Sequence, residues 1–210
     1  MRRRIVKPNT RSFTGRHVLP DGSGDVRFES GLERDFLTLL SLRDDVREIV
    51  EQPLTIDIVW PGGQVRRYTP DFKVTYADRV VLYEVKYREQ LRKLWPTHRH
   101  KFLQARAWAN SQGLRFRIVT DLTIRTVRFE NARLLSPYLG IEPDAGMAQA
   151  ITDGLAHGPR TVLDLAQTLC PERWDRARFY AALWPMLANR SLRMDPRAPL
   201  GMDLLVGLSS

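Results

Sequence analysis

Apolar and polar positions along the chain alternate with two different periods, and the changes of period mark its elements. From Ser30 the apolar residues Leu32, Phe36, Leu39 and Leu40 fall at i, i+4, i+7 and i+8, the core-facing stripe of a helix. Residues 46–50 and 53–60 read as extended segments joined by the Gln52-Pro53 step, and Pro61-Gly62-Gly63 reads as a turn. Residues 65–68 lead into a strand at Asp71, and 80–86 is apolar until its C-terminal end. The pattern predicts an antiparallel meander with the 71–86 hairpin at its centre. After Lys86 a polar linker reaches Trp95-Pro96, where Pro96 suits the first residue of a helix. That helix puts Phe102, Ala105, Trp108 and Ala109 on one face, and Gly113 stops it. Residues 114–120 form a further strand, and the helical crossover favours its parallel pairing with the strand of Glu84. A closing helix is expected over 131–138.

Residues 141–146, with Pro143, read as a boundary. Beyond it 148–156, 162–169 and 177–187 carry helical patterns, and 191–195, 196–201 and 202–206 read as strand, loop and strand. Three helices and a β-hairpin predict a small winged-helix-like domain over 145–210. Residues 1–27 form an irregular basic arm containing Arg2, Arg3, Arg4, Lys7, Arg11, Arg16 and Arg27. The middle, 28–140, is expected to be an α/β domain with a mixed sheet flanked by helices.

Charge sharpens this division. The chain of 210 residues carries a net +9. Residues 141–210 hold seven Arg against eight Asp and Glu, net −1, which leaves +10 on residues 1–140. A basic part beside a near-neutral one points the former at nucleic acid. Arg2, Arg3 and Arg4 in the arm, with Lys93, Arg99 and Lys101 on the flank of the second helix, are the candidate DNA contacts. A winged helix usually suggests DNA, but the near-neutral charge of the C-terminal part argues against a strong phosphate clamp. It favours protein docking over DNA reading, with Phe179, Tyr180 and Trp184 as candidate contacts beside their service in its own core. A single cysteine, Cys170, excludes an internal disulfide framework and a cysteine zinc cluster. The start, Met1-Arg2-Arg3-Arg4, has no apolar region after it and no apolar run reaches membrane length, so a soluble cytoplasmic protein with no membrane partner is expected. His98 and His100 stand at i, i+2, on different sides of a helix, which argues against a metal pair.

The candidate chemistry lies in the central hairpin. Side chains alternate along a strand, so Glu84 and Lys86 point the same way, about 6–7 Å apart. A turn centred between Ala77 and Asp78 sets Asp71 opposite Glu84, with Cβ atoms roughly 4.5–5.5 Å apart. Two carboxylates at that separation repel unless one is protonated or a cation lies between them. A hard divalent cation on oxygen ligands, with an ammonium beside it, answers that repulsion. Glu33 has two readings: Ser30-x-x-Glu33 is a capping box, and the same residue borders the apolar stripe, from which its carboxylate leans toward the sheet.

Pro70-Asp71, a hairpin, then Glu84-Val85-Lys86 resembles the PD-(D/E)XK nuclease superfamily. With the helix of Glu33, the Glu51-Gln52-Pro53 step, Tyr68-Thr69-Pro70-Asp71-Phe72 and Thr120-Asp121 added, residues from about 28 to 138 resemble the N-terminal domain of TnsA-like endonucleases, subunits of heteromeric cut-and-paste transposases. Glu84 stands where the founding TnsA has Gln, and there the chain follows the wider superfamily. The resemblance implies a restriction-endonuclease-like fold and DNA hydrolysis with Glu33, Asp71, Glu84 and Lys86 as catalytic residues. The metal, Mg²⁺ with Mn²⁺ able to substitute, one or two ions per site, would be held by Asp71, Glu84, the Val85 carbonyl and Glu33. The implied substrate is double-stranded DNA at transposon ends, cut at the 5′ sides. Implied partners are a DDE-type transposase and an AAA+ ATPase regulator docking on the C-terminal domain, in a bacterial cytoplasm beside the nucleoid. Two other readings keep part of this: a repair, restriction or phage nuclease with the same site, and a non-catalytic DNA-binding assembly subunit.

Overall fold

The computed structural model describes residues 15–18 and 25–209, with the side chains of 17 and 18 left aside. The chain divides into two compact units, residues 1–125 and 126–210. In the first, the described part of the stretch expected as an irregular arm is instead paired strand: β1 (Gly15–Val18) lies antiparallel to β2 (Asp25–Phe28), and α1 (Gly31–Ser41) follows. The extended N-cap Ser30 accepts the Glu33 amide on its side chain, which starts the helix. Its buried stripe contains Leu32, Phe36, Leu37 and Leu40, while Leu39, expected in the core, is only half-buried. Phe36 rests on Phe72 and Tyr83, at 6.0 and 4.9 Å between ring centroids, and this turns the Leu37 flank inward.

Next come β3 (Val46–Glu51), β4 (Ile56–Val59), β5 (Val65–Tyr68), β6 (Phe72–Tyr76) and β7 (Val80–Val85). They do not form one meander. β3 pairs directly with β6, and β4–β5 leaves the sheet as a separate two-stranded ribbon. The cause lies at the Gln52-Pro53 step: Gln52 takes a positive φ of 41° and donates its amide to the Asp71 carbonyl, joining the end of β3 to the start of β6 across the excursion. α2 (Arg88–Ser111) then crosses to β8 (Arg115–Val119), which lies parallel to β7, and α3 (Asp121–Ile124) follows. The central sheet has the order β3-β6-β7-β8, mixed in direction and covered by helices, the α/β architecture of a restriction-endonuclease-like fold.

Each face of that sheet has its own core. Ile49, Phe72, Val74, Val81, Tyr83 and Val85 pack with α1 on one side. Leu82 and Phe116 pack with Phe102, Ala105 and Ala109 of α2 and with Ile56, Ile58 and Tyr68 of the ribbon on the other. α2 starts well before the expected Pro96, which lies inside it. The Asp121 carboxylate accepts the Arg88 amide at 2.6 Å and so caps the earlier start from the far end of β8. The helix ends as expected, with Gly113 at φ +71° just past it.

In the second unit α4 (Val127–Leu135) and a 3₁₀ turn (Ser136–Tyr138) precede α5 (Ala145–Gly154), β9 (Arg160–Thr161), α6 (Val162–Leu169), α7 (Arg176–Ala188), β10 (Leu192–Met194) and β11 (Leu205–Leu208). β11 lies between β10 and β9 in an antiparallel sheet. The chain parts at 125/126 rather than at 141–146 because α4 packs on α7. Buried Asn131 also ties α4 to the loop before β11, donating to the Pro196 and Ala198 carbonyls and accepting the Leu200 amide. The last strand begins later than expected, since the Met202 and Leu204 carbonyls take the Leu163 and Val162 amides and hold 202–204 in a turn. Phe179, a candidate docking residue, is fully buried in this unit's core, with Tyr180 and Trp184 stacked beside it. No helix among the described residues is long and apolar enough to cross a membrane.

Candidate active site

The β6–β7 ladder pairs Phe72 with Tyr83 and Thr75 with Val80, the register of a turn centred between Ala77 and Asp78. One step beyond the ladder, Asp71 faces Glu84. Alternation along β7 turns Glu84 to the face of Leu82, toward α2 and Tyr68. β8 fixes the next step, since the Val119 carbonyl accepts the Lys86 amide at 3.0 Å.

The carboxylates are held by specific donors. Asp71 Oδ2 accepts the Val85 amide at 2.7 Å, and Glu84 Oε2 accepts the Tyr68 hydroxyl at 2.7 Å. Lys86 Nζ lies 3.3 Å from Asp71 Oδ2, 3.3 Å from Glu84 Oε1 and 3.0 Å from the Val85 carbonyl oxygen. Three hard oxygens from two adjacent strands thus converge on one ammonium. A second ammonium, Lys101 of α2, lies 3.5 Å from Glu84 Oε1 and packs over the Tyr68 ring at 4.4 Å.

Burial and the Glu84 charge push Asp71 well up from the usual carboxylate range, to about 7. Burial acts to lower Lys86, but Asp71 and Glu84 outweigh it and hold the ammonium above the usual lysine range. At Lys101 burial wins over the attraction of Glu84 and draws the group below that range. Burial, with the Glu84 charge, pushes the Tyr68 phenol far up, so it stays protonated and donates.

Glu33 lies at the edge of this group, and its hydrogen bonds go to its own helix start. Its Oε2 accepts the Glu29 amide at 2.7 Å and its Oε1 accepts the Ser30 hydroxyl at 2.9 Å. This is a capping box shifted one residue upstream of the N-cap amide. Burial raises its pKa, and Lys86 is near enough to offset part of that rise. The cap and the proximity hold together.

The outer candidates separate. Lys93 is exposed and paired with Glu89 at 2.7 Å, Arg99 is exposed, and Lys101 has left the outer flank for the site itself. Arg2, Arg3 and Arg4 lie outside the described residues. His98 and His100 both present edges to Trp60, and His100 Nε2 meets the Val59 carbonyl at 2.7 Å. Tyr68 and Lys101 are the groups at Glu84 that strand alternation could not place there. The signal for Tyr68 was its seat in the Tyr-Thr-Pro-Asp run; for Lys101 there was none beyond its charge.

Residues 43–121 match the family model described as TnsA-like endonuclease N terminal. That stretch is similar to the nuclease domain of TnsA-like endonucleases. No curated protein matches the chain. The matched stretch holds Asp71, Glu84, Lys86 and Lys101 and begins after Glu33. The likeness is to the endonuclease of Tn7-type transposition. Among the described residues no group of three or more His, Cys, Asp and Glu side chains is placed to hold a metal. A cation in the TnsA-like domain would therefore draw on the two carboxylates together with a main-chain oxygen. The convergence of Asp71, Glu84 and the Val85 carbonyl on a single positive group fits that donor set.

Proposed function

We propose that this chain is a metal-dependent DNA endonuclease subunit of a heteromeric cut-and-paste transposase, hydrolysing phosphodiesters at the 5′ sides of transposon ends. The observation that carries the reading is the Lys86 ammonium, 3.0–3.3 Å from the oxygens of Val85, Asp71 and Glu84. It stands where those same oxygens would hold a hard cation. Mg²⁺ or Mn²⁺ would supply Lewis acidity there, polarising the phosphate and lowering the pKa of a bound water.

The chain's own groups do the rest. Asp71, Glu84 and the Val85 carbonyl hold the cation, with Tyr68 fixing one oxygen of Glu84. Lys86, displaced from between the carboxylates, turns its ammonium to the attacking water and the charge growing on phosphorus. Glu33 keeps its cap and reaches the site through water or a second ion. The water oxygen bonds to phosphorus as its proton passes to solvent, the bond to the leaving oxygen breaks, and that oxygen takes up a proton from solvent.

Arg99, Lys93 and the arginines of 2–4 would meet the DNA backbone. The second unit, with its helix–strand–helix–helix–strand–strand order after α4, reads as winged-helix-like. Its net charge of −1 over 141–210 favours a protein partner. An AAA+ ATPase regulator is the proposed partner there, and a DDE-type transposase would cut the 3′ sides. The test is cleavage of transposon-end duplex DNA with magnesium or manganese, alone and with the co-encoded transposase. Cation-dependent 5′-side cuts are expected. Cutting without preference for ends, unaffected by a transposase, would place the nuclease outside transposition, and no cutting under any of these conditions would overturn the enzyme itself.

A further inference from the structure

The nuclease site contains one positive group more than a single ammonium beside a cation. Lys101 comes from α2, not from the hairpin, and its ammonium lies 3.5 Å from Glu84 Oε1, the oxygen that Lys86 also contacts at 3.3 Å. Its ammonium lies over the Tyr68 and Phe102 rings, 4.4 Å from each ring centroid, and only 18 % of the side chain is exposed. Glu84 is enclosed: 3 % of the residue is exposed, and Tyr68 takes its other oxygen.

Two ammoniums on one carboxylate oxygen are more than neutralising Glu84 requires. The surplus becomes intelligible when the whole site is considered. Glu33, Asp71 and Glu84 bring three negative charges, and Lys86 and Lys101 bring two positive ones. With a divalent cation bound and all three carboxylates ionised the site is near +1, and with a phosphodiester added it is near neutral. Without Lys101 every state is one charge more negative, so the cation is held more strongly and the phosphate is met by a site with no net attraction for it.

We propose that Lys101 is a second active-site lysine, which holds Glu84 in the absence of DNA and contacts a non-bridging oxygen of the scissile phosphate in the DNA complex. The assignment rests on the nuclease reading above and adds to it a group from a different element. Lys86 is tied to three oxygens by the hairpin, whereas Lys101 touches Glu84 alone among the carboxylates. When a cation takes Glu84, Lys101 is released from that carboxylate toward incoming negative charge.

The experiment compares the full chain with Lys101→Met, which keeps the stem and removes the charge, and with Lys101→Arg. Manganese affinity is measured by calorimetry without DNA, DNA affinity in calcium, and the single-turnover rate on end-containing duplex with the co-encoded transposase. Lys101→Met should bind manganese about tenfold more tightly, because a competing cation is gone. It should cleave on the order of 100-fold more slowly, the usual cost of one donor to a developing charge. Its DNA affinity in calcium should fall several-fold, the loss of one phosphate contact, and Lys101→Arg should recover part of both the affinity and the rate. A misfolded variant cannot gain manganese affinity, so the opposite movement of the two readouts identifies the role. Unchanged manganese affinity and rate in Lys101→Met, with the wild-type chain active, would make Lys101 a structural ion pair and overturn the assignment alone. A wild-type chain that neither binds manganese nor cleaves would overturn the nuclease reading and this assignment together.

Discussion

Asp71 is under opposing demands, and its substitution separates them. Its carboxyl is pushed up to about 7 by burial and by Glu84, so the folded metal-free protein favours the protonated form. The folded state then binds more protons than the unfolded one between about pH 4 and pH 7, and stability falls as pH rises through that window. Asp71→Asn keeps the shape and an acceptor for the Val85 amide without the charge. Without metal at pH 7.5 it should melt a few degrees higher than wild type, with the advantage vanishing near pH 4. Its cleavage rate should fall by more than the roughly 100-fold that loss of an outer-shell partner can cost, because a metal ligand itself is gone. Melting scans at the two pH values beside a nuclease assay check both arms. Glu33 admits an equally clean division, because a capping box accepts Gln as well as Glu. Glu33→Gln should leave urea stability within about 0.5 kcal/mol and lower cleavage at least roughly tenfold. Full activity in that variant would make Glu33 a cap and nothing more.

At the scale of elements, the hairpin register was legible in the sequence because strand alternation and one turn position determine it. Asp71 facing Glu84, with Lys86 on the same side, follows from counting. The parallel β8 was legible too, since a helical crossover has few other outcomes. What counting could not give depended on contacts between distant segments. Pro96 looked like a helix start because nothing nearby showed that Asp121 caps the Arg88 amide. With that cap the helix extends upstream, and Lys101 sits well inside it. Its place beside Glu84 depends on how α2 crosses the sheet over Tyr68 and the ribbon. The ribbon itself was read as part of a meander because the positive φ of Gln52 has no signature in a Gln-Pro pair. Removing the remote cap by Asp121→Ala should cost about 1 kcal/mol in chemical unfolding. An unchanged midpoint would mean that α2 starts without it.

Over the whole molecule, charge divides with the chain: +10 on residues 1–140 and −1 on 141–210. DNA affinity of the full protein should fall steeply with salt, each phosphate contact contributing about −0.9 to the log–log slope. Replacing Arg2, Arg3 and Arg4 with alanine should flatten that slope by up to about 2.7, and Arg99→Ala by about 0.9. Anisotropy titrations at several salt concentrations measure this, and an unchanged slope would remove those residues from the interface. The cleavage expectations depend on a cation held between the two strands of the hairpin. The most direct measurement is anomalous scattering from crystals of the protein grown with manganese. The account predicts a peak about 2.0–2.2 Å from oxygens of Asp71, Glu84 and Val85, with the Lys86 ammonium moved off them. Well-ordered crystals with no peak there, and Lys86 still bridging the two carboxylates, would contradict it.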